Sequence, residues 1–395
     1  MKILFITSSF EKKGSASVRN IGLVNGLINL GHNIDVLTQK WPDNMIDKSM
    51  CEYIDKKVGI YRDNIGIIDR YFSKKSDSIQ GSIQGKIGKY LRDLLKQIYF
   101  FPDIDKEWIK SYRKGMPFIE YDLYISSSDT KTSHFIAYEL KKKYKKTWFA
   151  YWGDPWKDDM GTRLMKKSLA AIFERKFINA ADANLYTSLP TLNSMKRRYK
   201  SDSNMFFLPR GYLEVVSSKA NDEDKVIRFL YPGSIYYGRT ISGLVDRIKE
   251  YNATSVDKRI KLDIYGYCDP GLTEEYKDEA IEFHGHTSFK EIGQIIEKSD
   301  VLVVLMNDKK SHQIPGKLYD FFGTNREIVA IMPGMNKDVY DFLINTDRCL
   351  VYEEDSIDVN EIIRRVNDSR WIPLRDYSIE AIARTVIDIY EKVCF

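Results

Sequence analysis

Lys317 and Asp320 stand three residues apart in a stretch, Ser311 to Gly323, that joins two strongly apolar runs, Asp300–Met306 and Glu327–Met332. Pro315 suits the first position of a helix, where its missing N–H costs nothing. Lys317 then falls in the first turn, where the helix dipole disfavours a cation. That placement makes chemical sense if Lys317 shares a bound anion with the free N–H groups of the turn around Gly316. Asp320 lies on the same helix face. One turn would thus offer a cation for a diphosphate and a carboxylate for a ribose diol. The plainer alternative is a solvated lysine and an aspartate that suits the dipole.

Other segments offer complementary groups. Phe229–Tyr231 ends in a loop containing Gly233, and Arg239 follows just before an amphipathic run that begins at Thr240. A glycine lets backbone approach a ligand, and an arginine grips phosphate with two parallel hydrogen bonds. Gly14 closes the polar link Thr7–Gly14 and could face a substrate with bare backbone. Asp154 stands at a strand end between Trp152 and Trp156, either as a reactive carboxylate or as a helix cap before Pro155. His134, His312 and Trp156 are further candidates for ligand contact, although residues of these types more often pack or sit satisfied in a structural role. No Asp-x-Asp pair sits at a suitable strand end, and no His/Cys cluster has metal-ligand spacing. The expectation is a metal-free site in which Arg239, Lys317 and backbone N–H groups hold a diphosphate.

These residues need strand ends and helix starts to hold them, and strand and helix patterns alternate almost throughout. Strands are expected at Lys2–Thr7, Asn33–Thr38, Val58–Tyr61, Leu123–Ser127, Trp148–Trp152, Asn184–Thr187 and Met205–Leu208. A second series runs Ile227–Tyr231, Lys261–Tyr265, Ile281–His284, Val301–Met306, Ile328–Met332 and Cys349–Tyr352. Helices are expected over Ser17–Leu30, Ser242–Glu250, Phe289–Lys298, Pro315–Phe322, Lys337–Asn345 and Val359–Asn367. The pattern implies two doubly wound α/β domains, with ligands at the carboxyl ends of the strands. The polar stretch between Gly211 and Lys225 is the expected boundary. The domains are read as residues 1–211 and 212–375, with a terminal helix over 376–395 packing back toward the first.

The chain has 395 residues, enough for two or three domains, and a net charge of +5. That small excess hides an asymmetry: residues 1–200 hold 36 Lys and Arg against 22 acidic residues, whereas the remainder holds 25 against 34. A basic face on the first domain suits a nucleic acid or an anionic membrane surface. Lys86–Phe101 agrees with this, because Ile87, Leu91, Leu94, Leu95 and Ile98 share a face while Lys86, Lys89, Arg92 and Lys96 lie largely off it. It reads as an interfacial membrane helix following a polar loop over Lys74–Gln84. No apolar run is long enough to span a bilayer, and Met1–Ser9 reads as a first strand rather than a secretory signal. Four scattered cysteines fit a reducing cytosol.

Taken in order, the segments resemble the glycosyltransferases of the B fold, and within them the retaining enzymes of family four, in the bacterial branch that builds cell-surface polysaccharides. The resemblance covers nearly the whole chain. It is carried by the Gly14 loop, Gly31–Thr38, Gly153–Trp156, Glu174 with Ala181 and Asp182, Tyr231–Ser234 with Arg239, and Ile314–Asp320. It implies a fold of two Rossmann-like domains facing a cleft, with no cofactor beyond a UDP- or GDP-linked sugar as co-substrate. Gly14, Gly233, Arg239, Gly316, Lys317 and Asp320 would hold the donor, with Arg239 on the diphosphate and Asp320 on the ribose. Asp154 would face the acceptor and the reacting sugar. The implied acceptor is a lipid-linked, lipopolysaccharide, O-antigen or capsular glycan at the inner face of the cell membrane, with no nucleic acid involved. Departures are His312 where the family has its first carboxylate, the shortened Asp320 at the second, Ser234 at a diphosphate base and Gly153 at a common histidine. A nucleotide-sugar epimerase of the same fold, or a non-catalytic transferase-like subunit of a membrane assembly, are the competing readings.

Overall fold

A computed structural model of the chain describes residues 1–64, 101–114, 120–157, 164–200, 203–217, 225–235, 239–368 and 371–395. The chain forms two compact units. One comprises Met1–Thr187, Thr191–Leu208 and Ala383–Phe395, and the other Ser188–Pro190 with Pro209–Ile382.

The first unit is built on seven strands: β1 (Lys2–Ile6), β2 (Asn33–Gln39), β3 (Gly59–Asp63), β4 (Leu123–Ser127), β5 (Thr147–Trp152), β6 (Ala183–Tyr186) and β7 (Met205–Phe207). All pair in parallel in the order β3-β2-β1-β4-β5-β6-β7. A parallel sheet covered by helices reads as unbroken apolar runs rather than alternation. Accordingly every residue of Leu123–Ser127 is buried, as are Ile3–Ile6. The longer helices of this unit are α1 (Ser15–Asn29), α2 (Thr132–Tyr144), α3 (Leu164–Ala180) and α4 (Leu189–Tyr199).

The second unit has six parallel strands: β8 (Val226–Pro232), β9 (Arg259–Tyr265), β10 (Ile281–Gly285), β11 (Val301–Leu305), β12 (Glu327–Met332) and β13 (Cys349–Glu353). Their order is β10-β9-β8-β11-β12-β13. Val301–Leu305 and Glu327–Met332 are buried throughout. Each such aliphatic side chain contributes about 1.5–3 kcal/mol when fully buried. Its main helices are α5 (Ser242–Thr254), α6 (Phe289–Glu297), α7 (Gly316–Phe321), α8 (Lys337–Asn345) and α9 (Val359–Asp368); α10 (Ile379–Cys394) closes the chain. Their starts are set by local chemistry. Ser288 and Glu291 form a reciprocal capping box at α6, and the Asn336 side chain accepts from the Val339 N–H at α8.

All thirteen strands expected from the apolar pattern are present, with ends shifted by one or two residues. One expectation needs correction: Pro315 is not the first helical residue. Its ψ of 129° is extended, and α7 begins at Gly316. The amphipathic run Lys86–Phe101 and the polar run Lys74–Gln84 lie outside the described residues, Phe101 excepted. Among the described residues no helix is long and apolar enough to cross a membrane.

Candidate functional site

In a doubly wound sheet, ligands gather where strand order reverses, beyond the carboxyl ends of the two strands at the switch. The second unit reverses between β8 and β11. Gly233 follows β8 and Asn307 follows β11, so the sequence places both there. The Arg239 guanidinium donates to the Asn307 side-chain oxygen. Asn307 is in turn placed by its amide, which donates to the Gln313 carbonyl at 3.4 Å.

Lys317, from the first turn of α7, enters the same place. Its Nζ lies 4.4 Å from the centroid of the Tyr231 ring. A Cβ on Gly233 would overlap that ammonium and approach the Tyr231 hydroxyl to 2.9 Å, so glycine is what lets Lys317 reach the end of β8. Burial pushes Lys317 down to about 7; Arg239 presses in the same direction and Asp320 opposes it. A lysine held this way takes up a proton readily once an anion arrives.

Asp320 projects from the next turn of α7 and both its oxygens accept from Arg210 Nη2 at 2.6 Å. Arg210 is 4% exposed, and a Cβ on Gly316 would stand 2.7 Å from its Nη1. Gly316 therefore makes room for Arg210. Burial raises the Asp320 carboxyl to about 6 against the pull of Arg210. The pair is charge-matched at neutral pH and loses the carboxylate's charge below about pH 6. His312 Nε2 lies 3.3 Å from the Asp338 carboxylate at the start of α8, and the His312 carbonyl accepts from Ser188 Oγ at 2.6 Å. Five expected residues, Gly233, Arg239, Gly316, Lys317 and Asp320, thus come together in this unit.

The first unit reverses between β1 and β4. Asp129 lies there, 2.5 Å from Arg19 Nη2, 3.0 Å from Asn20 Nδ2 and 3.4 Å from Thr7 Oγ1. Arg19 also donates to Ser127 Oγ at 2.8 Å and lies over the Tyr151 ring at 5.0 Å. Burial works against its charge, yet Asp129, Tyr151 and Asp154 hold its pKa above the usual value. Gly14 begins α1 with φ 143°, a conformation that side chains rarely adopt, and nothing stands within 4 Å of where its Cβ would be. Asp154 is exposed beyond β5, and its carbonyl accepts from Lys131 Nζ at 3.1 Å.

His134 and Trp156 lie in the aromatic core instead. His134 is fully buried against Trp152 at 4.3 Å, with Nδ1 2.7 Å from Ser126 Oγ, and burial lowers its pKa well below the usual value. Trp156 is 4% exposed and stacks on Phe101 at 5.5 Å; its backbone N–H donates to the buried Glu174 carboxylate at 2.7 Å.

Sequence reasoning missed Arg210, Asn307, Arg19 and Asp129. The polar run Ser126–Thr130 at the end of an apolar strand could have drawn attention to Asp129. Arg210 left no local signal. One group of possible metal ligands also escaped notice. Asp263, Glu282 and His284 converge across β9 and β10, where His284 faces Asp263 at 2.7 Å and Glu282 at 3.7 Å. Strand pairing, not sequence spacing, assembles them.

The chain matches no family model, and no curated protein matches it. Its architecture is that of solved glycosyltransferase-B structures. It is similar to TarM (10% identity, TM-score 0.64, covering 99% of each chain). It is similar to HepE of Anabaena, crystallised with UDP-glucose (10% identity, TM-score 0.59, covering 100% of this chain and 98% of the other). A third likeness is AviGT4, a glycosyltransferase involved in avilamycin A biosynthesis (10% identity, TM-score 0.56, with the same coverage). At these identities the likeness is one of fold.

Proposed function

We propose that this protein is a retaining, metal-independent glycosyltransferase that takes its sugar from a nucleotide diphosphate sugar. The observation that carries the reading is the convergence of Lys317 and Arg239 at the β8/β11 switch point. Two cations there supply the charge that a departing diphosphate needs, and among the described residues Lys317 forms no ion pair. UDP-glucose, present in the HepE crystal, is the first donor to test, and GDP-linked sugars the second.

In this reading residues 212–375 hold the donor: Arg239 and Lys317 the diphosphate, Gly233 and Gly316 the close approaches, and Asp320 the ribose. Residues 1–211 present the acceptor, with Gly14 and Asp154 at strand ends of that unit. The acceptor hydroxyl attacks the anomeric carbon on the face from which the nucleotide leaves. The C–O bond to the diphosphate breaks as the new glycosidic bond forms, and a diphosphate oxygen accepts the hydroxyl proton. Asp154 orients the acceptor or steadies positive charge on the sugar ring. His312 replaces an expected carboxylate, and its 3.3 Å contact to Asp338 supplies one nearby. The basic first half suits an acceptor carried at the inner face of the cell membrane, as a lipid-linked, lipopolysaccharide or capsular glycan.

Incubation with a panel of UDP- and GDP-sugars, followed by release of nucleoside diphosphate, tests this. Sugar-dependent release supports the enzyme. Binding without turnover, even with membrane extract, favours the non-catalytic subunit suggested by His312. Absence of any nucleotide binding in calorimetry sinks both.

A further inference from the structure

The first unit carries a second concentration of charge at the opposite end of its strands. Lys145 and Lys146 precede β5, whereas Asp154 follows it. A strand of six residues separates them by about 20 Å. At that far end a cavity of about 320 Å³ is lined by Tyr138, Lys141, Lys142, Lys145 and Lys146, with Thr147 and Asp182 on the remaining wall.

The charges in this cavity are unequally used. Asp182 accepts from Lys141 Nζ at 2.5 Å and from the Trp148 N–H at 2.8 Å, so the carboxylate on the wall is committed to Lys141 and the start of β5. Lys142 lies 5.7 Å from the Tyr138 ring centroid, and Lys176 lies 4.8 Å from the same ring. Among the described residues no carboxylate pairs with Lys142, Lys145 or Lys146. Lys141 to Lys143 also suit the negative end of the α2 dipole, which accounts for part of the cluster. It accounts less well for Lys146, which lies beyond the cap residue Lys145. Lys145 closes α2 in the left-handed conformation (φ 58°, ψ 33°), a place commonly taken by glycine. Ammonium groups gathered around a concave space repel one another until an anion enters.

We propose that this cavity binds a phosphate group, with Lys142, Lys145 and Lys146 as its ligands and the Tyr138 and Thr147 hydroxyls as donors. A glycerophosphate lipid headgroup and a small soluble phosphoester share that chemistry. The site is independent of the nucleotide-sugar reading; only the lipid source draws on the proposed membrane association.

Two proteins test it: Lys142→Gln/Lys145→Gln/Lys146→Gln, and a charge-matched control, Lys48→Gln/Lys56→Gln/Lys57→Gln, whose lysines are exposed elsewhere on the unit. Each is titrated with glycerol 3-phosphate and with vesicles of phosphatidylglycerol in phosphatidylcholine. A lysine beside an anionic surface contributes about fivefold, so the cavity variant should lose on the order of 100-fold in affinity while the control keeps most of it. Saturable binding of glycerol 3-phosphate by the wild type identifies a soluble phosphoester. Binding to the vesicles alone identifies a lipid headgroup. Equal losses in both variants reveal a diffuse basic face and overturn the site, as does wild-type protein that binds neither probe. Release of nucleoside diphosphate from the donor should be unchanged in both variants, which separates failure of this site from failure of the donor site.

Discussion

The two sheets reverse strand order at corresponding places, β1/β4 and β8/β11, and they use charge there in opposite ways. In the first unit Arg19 meets Asp129, and serine, threonine and asparagine side chains surround the pair with further hydrogen bonds. In the second, Lys317 has a tyrosine ring beside it and another cation nearby. A charge that is matched internally serves the fold. A charge left poised serves a ligand, because burying it unpaired costs stability that only an incoming anion returns.

Arg19→Met breaks that contrast most directly. It leaves the half-buried Asp129 without its cation, and the loss should be about 3 kcal/mol, read as a lowered urea midpoint. A loss under about 1 kcal/mol would show that the first network is no more structural than the second. Arg239→Ala should do the reverse. It should leave the urea midpoint close to wild type and weaken nucleoside diphosphate binding by about 1.5–3 kcal/mol. Calorimetry giving an unchanged affinity would misplace the diphosphate.

Asp320 sharpens the comparison, since it is a carboxylate of the second site already held by an arginine. Asp320→Asn should lower affinity for nucleotide and bare nucleoside alike, by about tenfold, while a 2′,3′-dideoxy nucleotide should not sense the change. Equal losses for the dideoxy compound would assign Asp320 to fold maintenance through Arg210.

The smallest effect comes from pH. Lys317 titrates near 7 in the empty site, and bound diphosphate raises that value. Nucleoside diphosphate affinity should therefore fall about fivefold from pH 7 to pH 8, as the ammonium form is lost. Binding at pH 8 should take up a proton, detectable in buffers of different ionisation enthalpy. Stability of the empty protein carries the opposite sign. The unfolded chain binds the Lys317 proton more tightly, so this group's contribution to stability rises from about pH 7 toward pH 10. A Lys317→Met protein that keeps the full pH dependence of binding would remove Lys317 from the site.

Much of this was legible in the residues. Apolar runs such as Val301–Leu305 mark parallel strands because both faces of such a strand are covered, and the alternation of strand with helix patterns placed the rest. Gly233, Arg239, Lys317 and Asp320 could be grouped because each sits within a few residues of a strand end or a helix start. For Trp156 and His134 the plainer reading, packing, is the one the structure shows. Trp156 and His134 lie within a few residues of strand ends or polar loops, yet side-chain packing turns both into the core. Chain position does not report side-chain direction when a loop intervenes.

Local order along the chain determined the element sequence, the two doubly wound sheets and the loops from which ligand contacts come, because hydrophobic period and capping chemistry act over a few residues. Tertiary structure decided which charges meet. Arg210 lies 110 residues from Asp320, and Arg19 lies 110 residues from Asp129. A charge's role depends on whether its partner arrives from elsewhere in the fold. The strength of an ion pair falls with distance and with water, and both are set only when the strands have found their neighbours.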